Sequence, residues 1–389
     1  MRIKSVEAWW VSIPIDTSRQ HRSDFGTLTT FDAAILRIET EDGLVGWGEG
    51  KNAAGSAGQY GALVHILNNE IAPQLIGLHA GDITSIWEML YNGVRAGQAA
   101  RAGHAMPHIA RRGLTVAAIS AVDIALWDIL GKHLNQPVWQ LLGGRKADRL
   151  PAYASGGWAN AAEIGAQLQS YIDVGGFRAV KMRVGSMDGA VHVSAARVRA
   201  AREALGPGIE IAVDAHGTYT VGEAKRFAHM VRDCDLAWFE EPVIADDKPG
   251  MADVRRFATM PIAAGESEAT RFDFRDLAMG ACVDIFQPDP AFCGGITETM
   301  RIAALASAFN LRFAPHLWAG APCFFAGLHL CAASPASFAI EYSCGANPMI
   351  HNLIEGTVAT SDGMVNIPDG PGLGFSISEA FVKAHVRKS

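Results

Sequence analysis

The chain has no cysteine before Cys234, and its six cysteines form no CxxC pair and no tight framework spacing. That pattern excludes a disulfide scaffold and a zinc knuckle, and the thiols read as reduced core residues. Basic charge is also in short supply: 33 Lys+Arg stand against 40 Asp+Glu, a formal charge of −7, with no block of Lys and Arg. No nucleic acid is expected as a partner. No apolar run approaches the roughly 20 residues of a membrane span, because Asp123 and Asp128 interrupt the longest candidate. The first stretch, MRIKSVEAWWVSIPID, alternates as a strand does and lacks the apolar core and cleavage site of a secretory signal. Low-complexity segments and long linkers are missing too. The expectation is a cytoplasmic protein with no membrane partner, assembled as a homo-oligomer.

What the chain does have is length and a change of rhythm. At 389 residues it exceeds one average domain, and two main units fit best. A β/α barrel takes roughly 250 residues and leaves ample chain for a second core. Residues 1–50 read as antiparallel β structure: Ile3 to Ile13 alternates, AAILRIE follows from Ala33, and LVGWGE resumes after the turn Glu41-Asp42-Gly43. Asp16 to Thr30 is a polar loop between them. Residues 58–132 read as helices, and AAISAVDIALWDILGKHLNQPVWQLLGG repeats its apolar residues at helical spacing. From Pro151 the pattern becomes short apolar strands alternating with Ala-rich helices: AVKMRV, IEIAVDA, LAWFEEP, PIAAGE, VDIFQPD, LRFAPH and FAIEY. After Asn347 it stops, and the turn-rich tail MVNIPDGPGLGFSIS is expected to pack back on the N-terminal unit.

Seven charged or ionisable residues sit at a nearly constant stride through that alternation: Lys181, Asp214, Glu240, Glu266, Asp289, His316 and Glu341. Each step is about one strand, one helix and two loops, the rhythm of a barrel whose strands all end at one rim. Asp214, Glu240 and Glu266 end consecutive predicted strands and therefore face a common point. Three carboxylates left together repel. Hard oxygens in that number suit Mg²⁺, and the alternative is a set of ion pairs with Lys or Arg of neighbouring strands. His316 follows LRFAP and Asp289 follows VDIFQP, on adjoining strands, where a carboxylate holds an imidazole's tautomer and raises its basicity. The alternative there is a hydrogen-bonded core histidine. His216 lies two residues beyond Asp214 and by strand alternation looks into the same site.

The residues Asp123, Ala125, Trp127-Asp128, Gly131-Lys132, Pro137 and Leu141-Leu142-Gly143, on a helix expected from Ala117 to Gly144, form a recognisable signature. VKMRVG, VDAHG, WFEEP, AAGES, QPD followed by GGIT, and PHLW come after it in order. Together they resemble the enolase superfamily, in its mandelate racemase and muconate lactonizing enzyme branch, over nearly the whole chain. The resemblance implies an α/β fold: a modified TIM (β/α) barrel (133–350) under an α+β capping domain, built from the N-terminal region (1–132) and the C-terminal tail (351–389).

The same resemblance implies roles. Glu240, the first Glu of its motif, matches the family's metal ligand, and Glu241 is expected on the other face beside Pro242. His316 with Asp289 matches a pair that removes the proton α to a carboxylate. Lys181 matches a contact to the substrate carboxylate, and Glu341 a position sharing a proton with its other oxygen. Only preorganised positive charge makes the resulting dianion accessible, and Mg²⁺ supplies most of it.

Two departures redirect the reading. Arg183 stands where many relatives carry a second lysine as base, and a guanidinium hardly ever surrenders its proton. That argues against a racemase and for Arg183 binding a carboxylate or hydroxyl. His216 replaces a common Asn, and some sugar-acid dehydratases of the superfamily use a His there to protonate the leaving hydroxyl; a substrate-binding histidine is the alternative. Trp318 lines the pocket or simply packs, and His21, Arg22 and Arg19 of the polar loop reach distal hydroxyls or remain solvated. His104, His108, His329 and His351 read as ordinary, and Gly294-Gly295 lacks the context of a phosphate loop. The expected function is a Mg²⁺-dependent dehydratase of a sugar acid, an aldonate or aldarate, through an enediolate. Its rivals are a cycloisomerase or epimerase of a related hydroxy acid or lactone, and a non-catalytic binder of a metal and a small acid.

Overall fold

In the computed structural model, which describes residues 1–20, 22–24, 26–52, 59–93 and 111–387, three antiparallel strands come first. They are β1 (Ile3–Pro14), β2 (Thr30–Thr40) and β3 (Val45–Gly50), in the order β1-β2-β3. Val11 faces Ala33 and Ile35 faces Glu49 across the two ladders. The sheet is covered by α2 (Leu114–Leu134) and by a helical stretch of residues 61–75 against β1, and α1 (Ile83–Asn92) packs on α2. Gly46 and Gly48 let α2 lie directly on β3: a β carbon at either would strike the carbonyl oxygens of Ala125 or Ala121. The polar loop folds into a 3-10 turn, Thr17–Arg19, and a two-residue hairpin, Arg22–Ser23 against Gly26–Thr27.

Helix α2 corrects one expectation. It is long and apolar enough to cross a membrane by composition, despite Asp123 and Asp128. It is instead the core helix of the fold, mostly buried inside the protein. Both acids find partners inside the protein: Asp123 Oδ2 accepts the Thr297 amide at 2.9 Å while its Oδ1 is buried without one, and Asp128 accepts the Trp47 and Leu373 amides at 3.1 and 3.0 Å and pairs with Lys132 at 2.7 Å. The helix is also shorter than expected. Asn135 takes the left-handed conformation (φ 51°) as its cap, and Pro137 then opens a separate short helix, Val138–Leu141.

Eight strands follow with seven helices between them among the described residues. The strands are β4 (Arg149–Gly156), β5 (Ala179–Arg183), β6 (Glu210–Asp214), β7 (Leu236–Glu240), β8 (Ile262–Ala264), β9 (Ile285–Phe286), β10 (Arg312–Phe313) and β11 (Ile340–Ser343). The helices are α3 (Ile164–Gly175), α4 (Val191–Leu205), α5 (Val221–Met230), α6 (Lys248–Phe257), α7 (Thr270–Met279), α8 (Gly295–Ala308) and α9 (Ala321–Ala333). All neighbouring strands pair in parallel from β11 through β4 to β10. Between β10 and β11 no ladder forms among the described residues, and the isolated bridge Phe313–Ser337 joins them instead.

Alternation sets which side chains fill the barrel. Val180, Met182, Ile211, Val213 and Phe239 face outward into the main core under the helices. Tyr153, Ala212, Trp238, Ala263, Ile285 and Ala314 form a separate inner cluster. Tyr153 and Trp238 meet edge to face at 5.0 Å, and the alanines around them leave the room two large rings need.

The tail ties the pieces together. The strands β12 (Thr360–Ser361) and β13 (Met364–Asn366) form a hairpin, and β13 runs antiparallel to the start of β4. Val386 then bridges Val11 of β1.

Asp123 gives a pH test of this packing. Burial pushes its carboxyl from 3.8 up to about 7 against its Thr297 hydrogen bonds. The folded state thus holds a proton that the unfolded chain releases, so this group costs stability as pH rises through that window. Asp123→Asn cannot ionise. Its unfolding free energy relative to the native protein, measured in urea, is expected to improve between about pH 4 and about pH 8.

Candidate active site

The C-terminal ends of the barrel strands bring the strided residues to one mouth. On β5, Lys181 and Arg183 both point inward, two apart; β6 ends on Asp214 and β7 on Glu240. Register pairs Arg183 with Asp214 and Asp214 with Glu240, so these side chains share one rung. Glu266, Asp289 and His316 follow just beyond β8, β9 and β10, and Glu341 lies on β11.

One oxygen from each of Asp214, Glu240 and Glu266 lies within 4.8 Å of the others. Glu240 is oriented by three donors: Lys181 Nζ reaches Oε1 at 2.5 Å, while Trp238 Nε1 and Gln287 Nε2 reach Oε2 at 3.0 and 2.7 Å. Arg183 closes on Asp214 Oδ2, and Lys181 stands 3.6 Å from the same atom and 2.9 Å from Glu341 Oε1. Leu317 N–H fixes the other Glu341 oxygen at 2.8 Å.

These contacts decide the charges. Burial disfavours the Glu341 carboxylate, yet Lys181 and His316 outweigh it and hold the group well below the usual range. Glu266 falls to about 2, because His316 and Lys51 overcome its burial. Burial also works against the Lys181 ammonium, but Glu240 and Glu341 raise it above its ordinary value.

The cluster fits a divalent cation. Its donors are all hard carboxylate oxygens gathered within 4.8 Å of one another, and the groups already drawn to them, Arg183 at Asp214 and His316 at Glu266, mark the positive charge this cluster calls for. Glu241 departs from its expected placement. It does not alternate to a far face, because its backbone is left-handed (φ 40°), and its buried carboxyl is raised by desolvation and by Glu266 and Glu240.

His316 is buried beside the cluster, with Nδ1 2.9 Å from Asp289 Oδ2 and Nε2 3.2 Å from Glu266 Oε2. A carboxylate oxygen only accepts, so the hydrogen shared with Asp289 lies on Nδ1. His216 also reaches the site, but by a different route from the one alternation suggested. It lies past the end of β6 in a left-handed turn (φ 47°), with Nε2 3.7 Å from Asp214 Oδ2 and Nδ1 3.0 Å from Asp24 Oδ2. Asp24 in turn accepts from Ser186 Oγ and Met187 N–H, both at 2.7 Å.

Trp318 is buried, edge to face with Trp158 at 5.7 Å, and Arg183 stands 5.8 Å from its ring. His21, His104 and His108 lie outside the described residues, and Arg22 is placed by its backbone in the small hairpin. Arg19 ends the 3-10 turn and is exposed. His329 is an interior residue, held between the Trp139 amide and the Leu373 carbonyl.

Three residues here escaped the sequence reading. Lys51 puts its buried ammonium 3.1 Å from Asp289 Oδ2, and Glu49 accepts the Gly320 and Cys323 amides at 2.7 and 3.2 Å. Both belong to the end of the capping sheet. Asp24 lies in the polar loop with Arg19, His21 and Arg22, and nothing in its sequence setting sets it apart. No periodicity marks any of the three.

Fold and site together define a barrel enzyme with acid–base groups around a carboxylate cluster that suits a cation. Residues 5–143 match the mandelate racemase / muconate lactonizing enzyme N-terminal domain, and residues 163–381 match the enolase C-terminal domain-like family. The chain belongs to the enolase superfamily, in the mandelate racemase and muconate lactonizing enzyme branch. It is 33% identical to a D-galactarolactone cycloisomerase of Agrobacterium fabrum, covering 92% of this chain and 94% of that one. It is 32% identical to an L-rhamnonate dehydratase of Saccharopolyspora erythraea, covering 92% and 86%. Among solved structures, a racemase from Streptomyces coelicolor A3(2) with bound magnesium superposes with a TM-score of 0.86 at 31% identity, over 99% of this chain and 100% of that one.

Proposed function

We propose that this protein is a Mg²⁺-dependent hydro-lyase that dehydrates a sugar acid, an aldonate or aldarate. The observation that carries this is His316, fixed at Nδ1 by Asp289 and presenting Nε2 to the carboxylate cluster. Asp214, Glu240 and Glu266 would hold the ion. Bound there, it would supply the positive charge that makes a proton α to a carboxylate removable.

The residues do the rest. His316 Nε2 takes the C2 proton, and Asp289 faces the imidazolium that results. Lys181 and Arg183 carry positive charge to the substrate carboxylate on its enediolate side, and Glu341, ionised beside Lys181, holds that ammonium in place. The C3 hydroxyl then leaves as water, protonated by His216 or by the imidazolium of His316. Arg183 keeps its proton throughout, so one face of C2 lacks a second base and racemisation is disfavoured.

The L-rhamnonate dehydratase likeness supports elimination of a sugar-acid hydroxyl, and the polar loop that carries Asp24 supports a polyhydroxy substrate. The D-galactarolactone cycloisomerase likeness favours a second reading, in which a ring oxygen leaves in place of water. Our reading divides the chain into a cap (1–132), a catalytic barrel (133–350) and a tail (351–389), and places the enzyme in the cytoplasm, where its six free cysteines would stay reduced.

A panel of aldonates, aldarates and their lactones incubated with the protein and Mg²⁺ separates the two readings. Dehydration yields a 2-keto-3-deoxy acid lighter by about 18 daltons, whereas cycloisomerisation conserves mass. A mass-conserving product alone would overturn the hydro-lyase assignment.

A further inference from the structure

The end of β3 enters the barrel mouth. Lys51 N–H donates to the Ala291 carbonyl at 3.0 Å, and Glu49 beside it holds the amides that open α9. The Lys51 ammonium is thereby carried from the cap to the histidine–aspartate pair, a contact between residues 238 positions apart in sequence.

Asp289 is held on every oxygen. Oδ1 accepts the Ala291 amide at 2.8 Å and the Cys323 thiol at 3.4 Å; Oδ2 accepts from Lys51 at 3.1 Å and from His316 Nδ1 at 2.9 Å. Lys51 Nζ also lies 3.3 Å from His316 Nδ1, so two arrangements compete. If Lys51 donated to Nδ1, the ring would carry its hydrogen on Nε2 and could not take a proton there. The charged oxygen is the stronger acceptor, which sends the ammonium hydrogen to Asp289.

We infer that Lys51 is a positioning residue of proton abstraction. It pins Asp289 Oδ2 between itself and His316, so that the imidazole keeps its hydrogen on Nδ1 and a bare Nε2 faces the acid. The barrel's proton-transferring pair is thus completed by the capping sheet, and docking of the cap is part of assembling the catalytic centre. The inference rests on the role proposed above for His316.

Lys51→Met and Lys51→Arg test it, each checked for native circular dichroism. In Lys51→Met, kcat on the acid that the native enzyme converts should fall about 10–100-fold, the usual loss when an outer partner of a working group is removed. KM should stay within about two-fold, and Lys51→Arg should recover most of the rate. The ¹⁵N spectrum of histidine-labelled protein gives a readout independent of turnover, with the His316 signal identified by its loss in His316→Asn. The native protein and Lys51→Arg should show the Nδ1–H tautomer, and Lys51→Met a mixture. If Lys51→Met does not fold, Lys51→Gln takes its place with a smaller fall in kcat and the same tautomer mixture expected. An unchanged tautomer, an unchanged kcat, or a rise in KM alone overturns the inference. Should the native enzyme convert no acid on the panel, the functional reading fails while the spectrum still decides the role of Lys51.

Discussion

His316→Asn is expected to lower kcat by about 10²–10⁴-fold, the usual contribution of a positioned general base. The expectation follows from what the imidazole does in two directions. Nδ1 is committed to Asp289 at 2.9 Å, which leaves Nε2 as the basic atom facing Glu266. Asparagine has no group that titrates as imidazole does, so it cannot take over the proton. The variant should also stop exchanging the C2 proton of the substrate with D₂O, as followed by proton NMR. Its Mg²⁺ affinity should stay near the native value, because His316 is not among the three clustered carboxylates. An exchange rate equal to that of the native enzyme would remove His316 from the chemistry.

The second large effect is expected at Glu240. Three donors, Lys181, Trp238 and Gln287, hold this carboxylate in one orientation. A ligand that is already ordered loses little freedom on binding, which concentrates affinity in that side chain. Glu240→Gln removes the charge and turns an amide nitrogen towards the cluster or its donors. Mg²⁺ affinity measured by calorimetry should weaken by at least about 100-fold, the upper range for losing even an outer partner of a metal site. Activity should fall with it and return partly at high Mg²⁺. Native affinity in the variant would mean that Glu240 is only a partner of Lys181.

The barrel was legible in the sequence because its chemistry sits where its rhythm changes. Strand ends recur at a steady stride, and Lys181, Asp214, Glu240, Glu266, Asp289, His316 and Glu341 all fall at or within three residues of them. What could not be read depends on backbone turns or on contacts across the domains. Alternation accounts for Lys181 and Arg183, which lie inside a strand, but not for His216 or Glu241, whose left-handed backbones follow strand ends. The Asn135 cap was hidden because the apolar spacing of α2 continues past it into the next short helix. Asp123 and Asp128 looked like interruptions of an apolar run, yet each is buried against partners far along the chain. Lys51 and Asp24 had no local signal at all, since their partners, Asp289 and His216, belong to the barrel.

The central claim is that a divalent ion sits on Asp214, Glu240 and Glu266 within reach of the His316 imidazole. Mn²⁺ tests it directly, because carboxylate oxygens accept it in place of Mg²⁺ and its unpaired electrons broaden nearby nuclei. Titrated into ¹⁵N-histidine-labelled protein, it should erase the His316 signal well below one equivalent, and the signal should persist in Asp214→Asn. A His316 signal that survives saturating Mn²⁺ in the native protein would contradict the account.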